Sequence, residues 1–138
     1  MEPRISIITL GVSDLARSVQ FYRDGLGLPL REESDVIAFF ETRGTWLALF
    51  PREALAADAN VSPESSGFPG FTLAHNVRSR EEVDVVLNEA ETNGAQIIKP
   101  AQDTDWGGYS GYFADPDGYL WKSPGTPTSG LNDSYLHT

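Results

Sequence analysis

Two short segments decide the fold: Ile-Thr-Leu-Gly-Val-Ser-Asp at residues 8–14 and Leu-Ala-His-Asn-Val-Arg-Ser at residues 73–79. Each is a largely apolar run, typical of a half-buried strand, and each ends at a residue that can cap a helix. Apolar residues then recur at helical spacing, and three further strand-like segments follow. The sequence therefore predicts the order βαβββ twice, as an internal repeat.

The first half begins with a predicted strand at residues 5–12. Ser13 and Asp14 supply helix-capping side chains, and Gly25 with Gly27 ends that helix. Three strands are then predicted, at residues 30–33, 36–41 and 45–50.

The second half repeats this order, starting from a predicted strand at residues 71–77. Ser79 and Glu82 form an S-x-x-E capping box before the helix, and Gly94 ends it. The remaining strands are predicted at residues 95–99, 109–114 and 119–123, with an Asp-Pro-Asp-Gly turn at residues 115–118 between the last two.

These elements make one α+β domain of 138 residues. Repeat one spans residues 4–51, and repeat two spans residues 70–123. A linker at residues 52–69 opens with a short helix and continues as a stretch rich in Pro, Ser and Gly. Residues 124–138 lack periodicity, so a loosely ordered tail is expected.

Composition excludes several classes of function. The chain has no cysteine, so it can form neither a disulfide nor a thiolate metal site, and a reducing cytoplasm is expected. Acidic residues outnumber basic ones by 20 to 10 without any basic block, so nucleic acid is a poor partner. The sequence has no transmembrane-length apolar stretch and no signal-peptide pattern, so neither membrane insertion nor secretion is expected.

Three motifs resemble the vicinal oxygen chelate (VOC) superfamily, which includes glyoxalase I, bleomycin-resistance proteins and extradiol dioxygenases. They are VSDL followed by SVQFY within residues 12–22, GLGL at residues 25–28 and DPDGYLW at residues 115–121. The resemblance implies two βαβββ repeats that form a curved mixed-sheet half-barrel around a ligand. It does not choose among the lyases, dioxygenases, epoxide-opening transferases and drug-binding proteins that share this scaffold.

Enzymes of that superfamily typically hold one divalent metal through His and Glu on the first and last strands of each half. The resemblance places these positions at Ile7 and Thr72 on the first strands, and at Ala48 and Lys122 on the last strands. None of these residues is an effective metal ligand, so no cofactor is expected. A metal-dependent lyase or dioxygenase with ligands at other residues is the alternative.

The chain contains only two histidines, His75 and His137. A two-histidine metal site would therefore have to recruit the tail. His75 lies three residues after Thr72, on the opposite face of its strand, and is predicted to pack under the helix as a structural histidine.

Strand alternation predicts an inner face that is mostly apolar with few polar groups, as in small-molecule pockets. Its members are Thr9, Gly11, Ala48, Phe50, Thr72, Ala74, Asn76 and Lys122. Lys122 is the candidate catalytic residue, as a general base or a Schiff-base nucleophile. The alternative is that its amine reaches solvent or pairs with a carboxylate.

Three aromatic residues, Trp106, Tyr109 and Tyr112, lie among glycines just before the last hairpin. Their rings are predicted to form a lid or a stacking wall for a flat ligand. Alternatively, they cover the end of the sheet or a subunit contact.

The leading hypothesis is a cytoplasmic, homodimeric VOC protein that binds a small, partly apolar molecule without the usual metal. Its ligand-binding residues are predicted to be Thr9, Ala48, Phe50, Thr72, Asn76, Trp106, Tyr109, Tyr112 and Lys122. The linker allows the repeats to pair within one chain or across two chains, and either arrangement is compatible with a homodimer. A non-catalytic protein-interaction module is a third alternative.

Overall fold

The chain folds as two compact units, each built around a four-stranded mixed sheet. A computed structural model describes residues 1–64, 67–105 and 107–125. The units are Met1–Gly67 and Phe68–Thr138, so the division falls inside the predicted linker. The α+β class and the repeated βαβββ order are confirmed. In the described part of the chain, no helix is long and apolar enough to cross a membrane.

Unit 1 contains sheet A, whose strand order is β1-β4-β3-β2. Its elements are β1 (Ile7–Val12), α1 (Leu15–Gln20), β2 (Leu30–Glu33), β3 (Ala38–Phe40), β4 (Trp46–Pro51) and α2 (Arg52–Ala59). Strand β1 pairs parallel with β4, whereas β3 pairs antiparallel with both β2 and β4. The two central strands are thus β4 and β3, and β1 lies at an edge.

Helix α1 packs on one face of sheet A. The Asp14 carboxylate caps it by accepting a hydrogen bond from the backbone N–H of Arg17 at 3.0 Å. The helix continues as a π-helical turn over Phe21–Gly25. Within that turn Tyr22 is fully buried, with its ring centroid 6.1 Å from that of Phe40 on β3. The buried sheet residues on this face are Leu10, Val12, Ala38, Phe40, Leu47 and Leu49.

Unit 2 contains sheet B, with the corresponding strand order β5-β8-β7-β6. Its elements are β5 (Leu73–Ala74), α3 (Arg80–Thr92), β6 (Gln96–Asp103), β7 (Tyr109–Ala114) and β8 (Leu120–Gly125). Strand β5 pairs parallel with β8, and β7 pairs antiparallel with both β6 and β8.

Three strand boundaries in unit 2 differ from the prediction. Strand β5 is much shorter than residues 71–77, although Val77 still forms an isolated bridge to Gly125. Strand β6 continues beyond Pro100 to Asp103, because β6 is an edge strand and an edge can accommodate a residue that lacks the N–H donor. Strand β8 ends at Gly125, two residues past the predicted end of repeat two.

Helix α3 begins at the predicted capping box. The Ser79 hydroxyl accepts a hydrogen bond from the backbone N–H of Glu82 at 3.1 Å. The Glu82 carboxylate in turn accepts one from the backbone N–H of Arg78 at 3.3 Å. The reciprocal bond therefore reaches one residue before the cap rather than the cap itself, and it still satisfies a backbone donor beside the helix start.

Two glycines let α3 approach sheet B closely. A Cβ atom at Gly111 of β7 would lie 2.6 Å from Leu87 Cδ1, and one at Gly125 of β8 would lie 2.6 Å from Val83 Cγ2. We call this side of the sheet the α3 face. Because side chains alternate along a strand, the strand neighbours of these glycines, such as Tyr112 and Pro124, point to the opposite side.

Candidate functional site

The register of sheet A shows how the two positions that the resemblance gives in unit 1 lie relative to each other. Thr9 on β1 pairs with Ala48 on β4, and three residues later Val12 pairs with Pro51. Ile7 lies two residues before Thr9, on the same side of the sheet as Ala48. Ile7 and Ala48, the positions given by the resemblance, are therefore diagonal neighbours on one face.

The register of sheet B gives the same arrangement in unit 2. Ala74 on β5 pairs with Lys122 on β8, and three residues later Val77 pairs with Gly125. Thr72 precedes Ala74 by two residues and therefore shares its side of the sheet. Lys122 thus occupies in unit 2 the place that Ala48 occupies in unit 1.

The side chains at these four positions do not fit a divalent metal. Ile7 and Ala48 end in methyl groups, which have no lone pair to donate. Lys122 ends in an ammonium, which repels a cation, and a neutral hydroxyl such as that of Thr72 is a weak ligand by itself. Within residues 1–64, 67–105 and 107–125, no three His, Cys, Asp or Glu side chains group closely enough to hold a metal ion.

The side of sheet B opposite α3 carries most of the polar residues predicted for the site. We call it the Lys122 face; its sheet residues are Ala74, Ser110, Tyr112, Ala114, Leu120, Lys122 and Pro124. Lys122 is half-buried and pairs with Ala74 on one side and with half-buried Tyr112 on the other. Thr72 and Asn76, which alternation predicts on this face, flank Ala74 along the chain just outside β5, and Thr72 is exposed while Asn76 is half-buried.

Lys99 is a residue on this row that sequence analysis missed. It pairs with Tyr112 from the edge strand β6, so the row across the sheet is Ala74, Lys122, Tyr112 and Lys99. Its side chain is exposed. The sequence placed Lys99 at the end of a strand, but only the strand register shows which residue of the neighbouring strand it faces.

Tyr109 lies away from the Lys122 face. Its hydroxyl donates a hydrogen bond to the Asp84 carboxylate of α3 at 2.8 Å, and the Arg80 guanidinium lies 4.2 Å from the centre of its ring. The hydrogen bond to Asp84 is the main cause that raises the pKa of Tyr109 above its usual value. The ring therefore anchors β7 to α3, and the structure does not bring Tyr109 together with Tyr112.

Arg80 also ties α3 to the end of β6. It donates a hydrogen bond to Asp103 at 2.5 Å, and this bond lowers the pKa of the Asp103 carboxyl. Thr104, which follows β6, accepts a hydrogen bond through its hydroxyl from the backbone N–H of Gly108 at 2.9 Å. Trp106, predicted as a ligand-binding residue, lies outside the described residues, as does His137.

The side of sheet A opposite α1 holds the predicted residues of unit 1, and we call it the Thr9 face. Thr9 and Phe50 are half-buried on it, and Ala48 between them is fully buried. Gly11 differs from the prediction of an inner lining, because α2 lies over it. A Cβ atom at Gly11 would be 3.3 Å from the Arg52 Cα, so the small residue makes room for the helix.

Two aromatic residues on the Thr9 face were not predicted. Phe39 on β3 pairs with Ala48, and Trp46 on β4 precedes Ala48 by two residues, so both share its side of the sheet. Both rings are half-buried. Trp46 alternates along β4 with the buried Leu47 and Leu49, and this alternation alone could have predicted that its side chain points away from the core.

His75 is exposed, which corrects the expectation that it packs under the helix. Its backbone N–H donates to the carbonyl of Lys122 at 2.9 Å, so it continues the pairing of β5 with β8. The reason is topological: β5 is the edge strand, and α3 packs mainly on β6, β7 and β8.

Comparison with known proteins gives a family and several relatives. The family described as "Glyoxalase/Bleomycin resistance protein/Dioxygenase superfamily" matches residues 4–122. The "Metallothiol transferase FosB" of Staphylococcus haemolyticus (strain JCSC1435) is 49% identical over 115 residues, which cover 83% of this chain and 78% of that protein. The "Uncharacterized protein YraH" of Bacillus subtilis (strain 168) is 32% identical over 116 residues, which cover 80% of this chain and 88% of that protein.

A solved structure shows the same fold over nearly the whole chain. The crystal structure of a glyoxalase-related enzyme from Fulvimarina pelagi has a TM-score of 0.88 and 32% sequence identity, and the match covers 99% of this chain and 97% of that one.

Proposed function

Because this chain belongs to the glyoxalase/bleomycin resistance protein/dioxygenase superfamily, we propose that it binds a small, partly apolar molecule without a metal ion. One observation carries the proposal: at the positions where the resemblance implies the family's metal ligands, this chain has Ile7, Ala48, Thr72 and Lys122, none of which is an effective metal ligand. The strand registers support this correspondence, since the pairs Ile7 with Ala48 and Thr72 with Lys122 occupy equivalent places in their sheets.

Each unit by itself carries side chains that support this proposal. In unit 1, the Thr9 face has the half-buried rings of Phe39, Trp46 and Phe50. In unit 2, Lys122 and Tyr112 are partners on neighbouring strands of the Lys122 face. Apolar rings and a few polar groups are the usual lining of a small-molecule site. If the protein catalyses a reaction, Lys122 is the residue whose chemistry suits a general base or an amine nucleophile.

A broad thermal-shift screen tests this proposal. The purified protein is heated with a panel of metabolites and drugs, and a ligand that binds only the folded state raises the Tm. We expect at least one small, partly apolar compound to raise it in the presence of a chelator. A panel without any such compound contradicts the proposal and favours a protein-interaction module.

A metal-dependent enzyme is the second candidate, because the FosB relative is named a metallothiol transferase. The chemistry available to such an enzyme in this superfamily includes lyase, dioxygenase and transferase reactions on one scaffold. Elemental analysis of protein purified without chelators or an affinity tag separates the two candidates. One tightly held Fe, Mn, Ni or Zn per chain refutes the metal-independent proposal.

We further propose that the protein acts as a homodimer in the cytoplasm. The acidic, cysteine-free composition suits a reducing compartment. Light scattering at several protein concentrations tests the oligomeric state, and a mass of one chain at every concentration contradicts the homodimer.

A further inference from the structure

Lys122 occupies a central place in sheet B. Its strand β8 has neighbours on both sides, and Lys122 itself pairs with Ala74 on β5 and with Tyr112 on β7. The side chain is half-buried, and it lies on the side of the sheet opposite α3. An ammonium in such a place acts in a lower effective dielectric than one on a fully exposed chain end, so its attraction for an anion is stronger.

Lys122 brings a positively charged group to a position where the resemblance implies an acidic metal ligand in the family's enzymes. A divalent cation held there would attract a negatively charged oxygen of the ligand. The lysine ammonium can attract the same kind of oxygen without a metal.

The neighbours of Lys122 supply further hydrogen-bond donors. Tyr112, which carries a phenol, is the partner of Lys122 on β7, and neighbouring strands lie about 4.8 Å apart. Thr72 and Asn76 flank Ala74 on the other side, and they add a hydroxyl and an amide. Such groups can share the oxygens of one carboxylate with the ammonium, and bonds of this charge-assisted kind are the stronger ones.

We infer that the Lys122 ammonium replaces the metal ion of related enzymes as the cation of this site, and that the ligand presents a carboxylate or similar oxyanion to it. This inference rests on the proposed function, since it assigns the polar end of the same small molecule. The recognition is by contact rather than by long-range attraction, because the chain as a whole has a net charge of −10.

Benzoate and benzamide form a matched pair of probes, because they share one ring and differ mainly in charge. Each is titrated into isotope-labelled protein at constant ionic strength, and the amide signals of Ala74, Tyr112 and Lys122 are followed by NMR. We expect benzoate to give saturable shifts at these residues and to bind about tenfold or more tightly than benzamide.

Four variants assign the effect to the ammonium. Lys122→Met keeps most of the aliphatic stem and should weaken benzoate binding about tenfold or more, to the level of benzamide. Lys122→Glu should abolish benzoate binding, whereas Lys122→Arg should retain much of it. Arg31→Met removes a cation from β2 that is 67% exposed, and it should leave benzoate binding unchanged. The spectrum of each variant shows at the same time whether it is folded.

The outcomes separate this inference from the proposed function. If benzoate gives no saturable shift, or if Lys122→Met binds it as tightly as the wild type, the inference is wrong. In that case a neutral compound that binds both proteins equally leaves the proposed function standing. If neither the probes nor the wider screening panel bind, both are wrong.

Discussion

Replacing Gly125 with alanine tests how closely α3 packs on sheet B. The new Cβ would lie 2.6 Å from Val83 Cγ2 and 2.7 Å from the carbonyl oxygen of Ser79, distances that real Cβ atoms essentially never show. The valine side chain can yield slightly, but the Ser79 carbonyl belongs to the backbone of the helix cap. The helix start must therefore move away from the sheet.

The magnitude follows from two opposing effects. Overpacking of this kind costs about 1–3 kcal/mol, and alanine returns about 0.4–1 kcal/mol by restricting the unfolded chain. From the middle of both ranges, we expect Gly125→Ala to lower the free energy of unfolding by about 1.3 kcal/mol. With an m-value of roughly 2 kcal/mol/M, the urea midpoint should fall by about 0.6 M.

Ser123→Ala is the matched control, since Ser123 lies two residues before Gly125 on the same strand and face. Ser123 is fully buried, and its hydroxyl has no hydrogen-bond partner among the described residues. Its removal should be neutral or should stabilise the fold by up to about 1 kcal/mol. The argument fails if Gly125→Ala unfolds at the wild-type midpoint, or if Ser123→Ala is the more destabilised variant.

Three further predictions concern hydrogen bonds of unit 2. Buried Asp115 accepts two backbone N–H groups at 2.9 Å, so Asp115→Ala should cost about 1–3 kcal/mol, seen as a lower Tm, and an unchanged Tm would contradict this role. Because Arg80 lowers the pKa of Asp103, this pair stabilises the fold above the ordinary aspartate pKa, and its contribution is lost as the pH falls through the lowered value. An NMR titration should find the Asp103 pKa returned towards normal in Arg80→Gln; equal values in both proteins would refute the assignment. Because the bond to Asp84 raises the pKa of Tyr109, this stabilisation is present below the ordinary tyrosine pKa and is lost as the pH rises through the raised value. In an ultraviolet titration, the absorbance change of a tyrosine that ionises above the usual pH range should disappear in Tyr109→Phe. If that change persists, it belongs to another tyrosine.

Much of the fold could be predicted because its signals are local. The Asp14 and Ser79 caps and the turn at residues 115–118 depend on side chains within a few residues of the backbone groups they bind. The helix-ending glycines Gly27 and Gly94 act through their own backbone, which adopts a positive φ. The ends of β5 and β6 could not be predicted in this way. They depend on which strands lie at the sheet edges, and edge position is a property of the whole sheet.

The candidate site was predictable to the extent that it follows strand alternation. Alternation predicted Lys122, Thr72, Ala74 and Asn76 on one face, and the register of sheet B pairs Ala74 with Lys122. Tyr109 and Tyr112 were grouped because they lie in one aromatic and glycine-rich segment, although only two residues of extended strand separate them and their side chains therefore point to opposite faces. Lys99 was missed because its partner on β7 depends on two register shifts in β6, and no pattern within β6 specifies those shifts.

Alternate side chains of β7 and β8 lie on two faces of the sheet, one packed against α3 and the other opposite it. On the α3 face Gly111 and Gly125 have no room for even one added carbon, so the helix dictates their identity. On the other face Tyr112 and Lys122 are half-buried and make no such contact with α3. A change at Lys122 can therefore alter the charge of the site while α3 stays packed. This separation gives a physical reason why the charge at position 122 can change on one scaffold without disturbing α3.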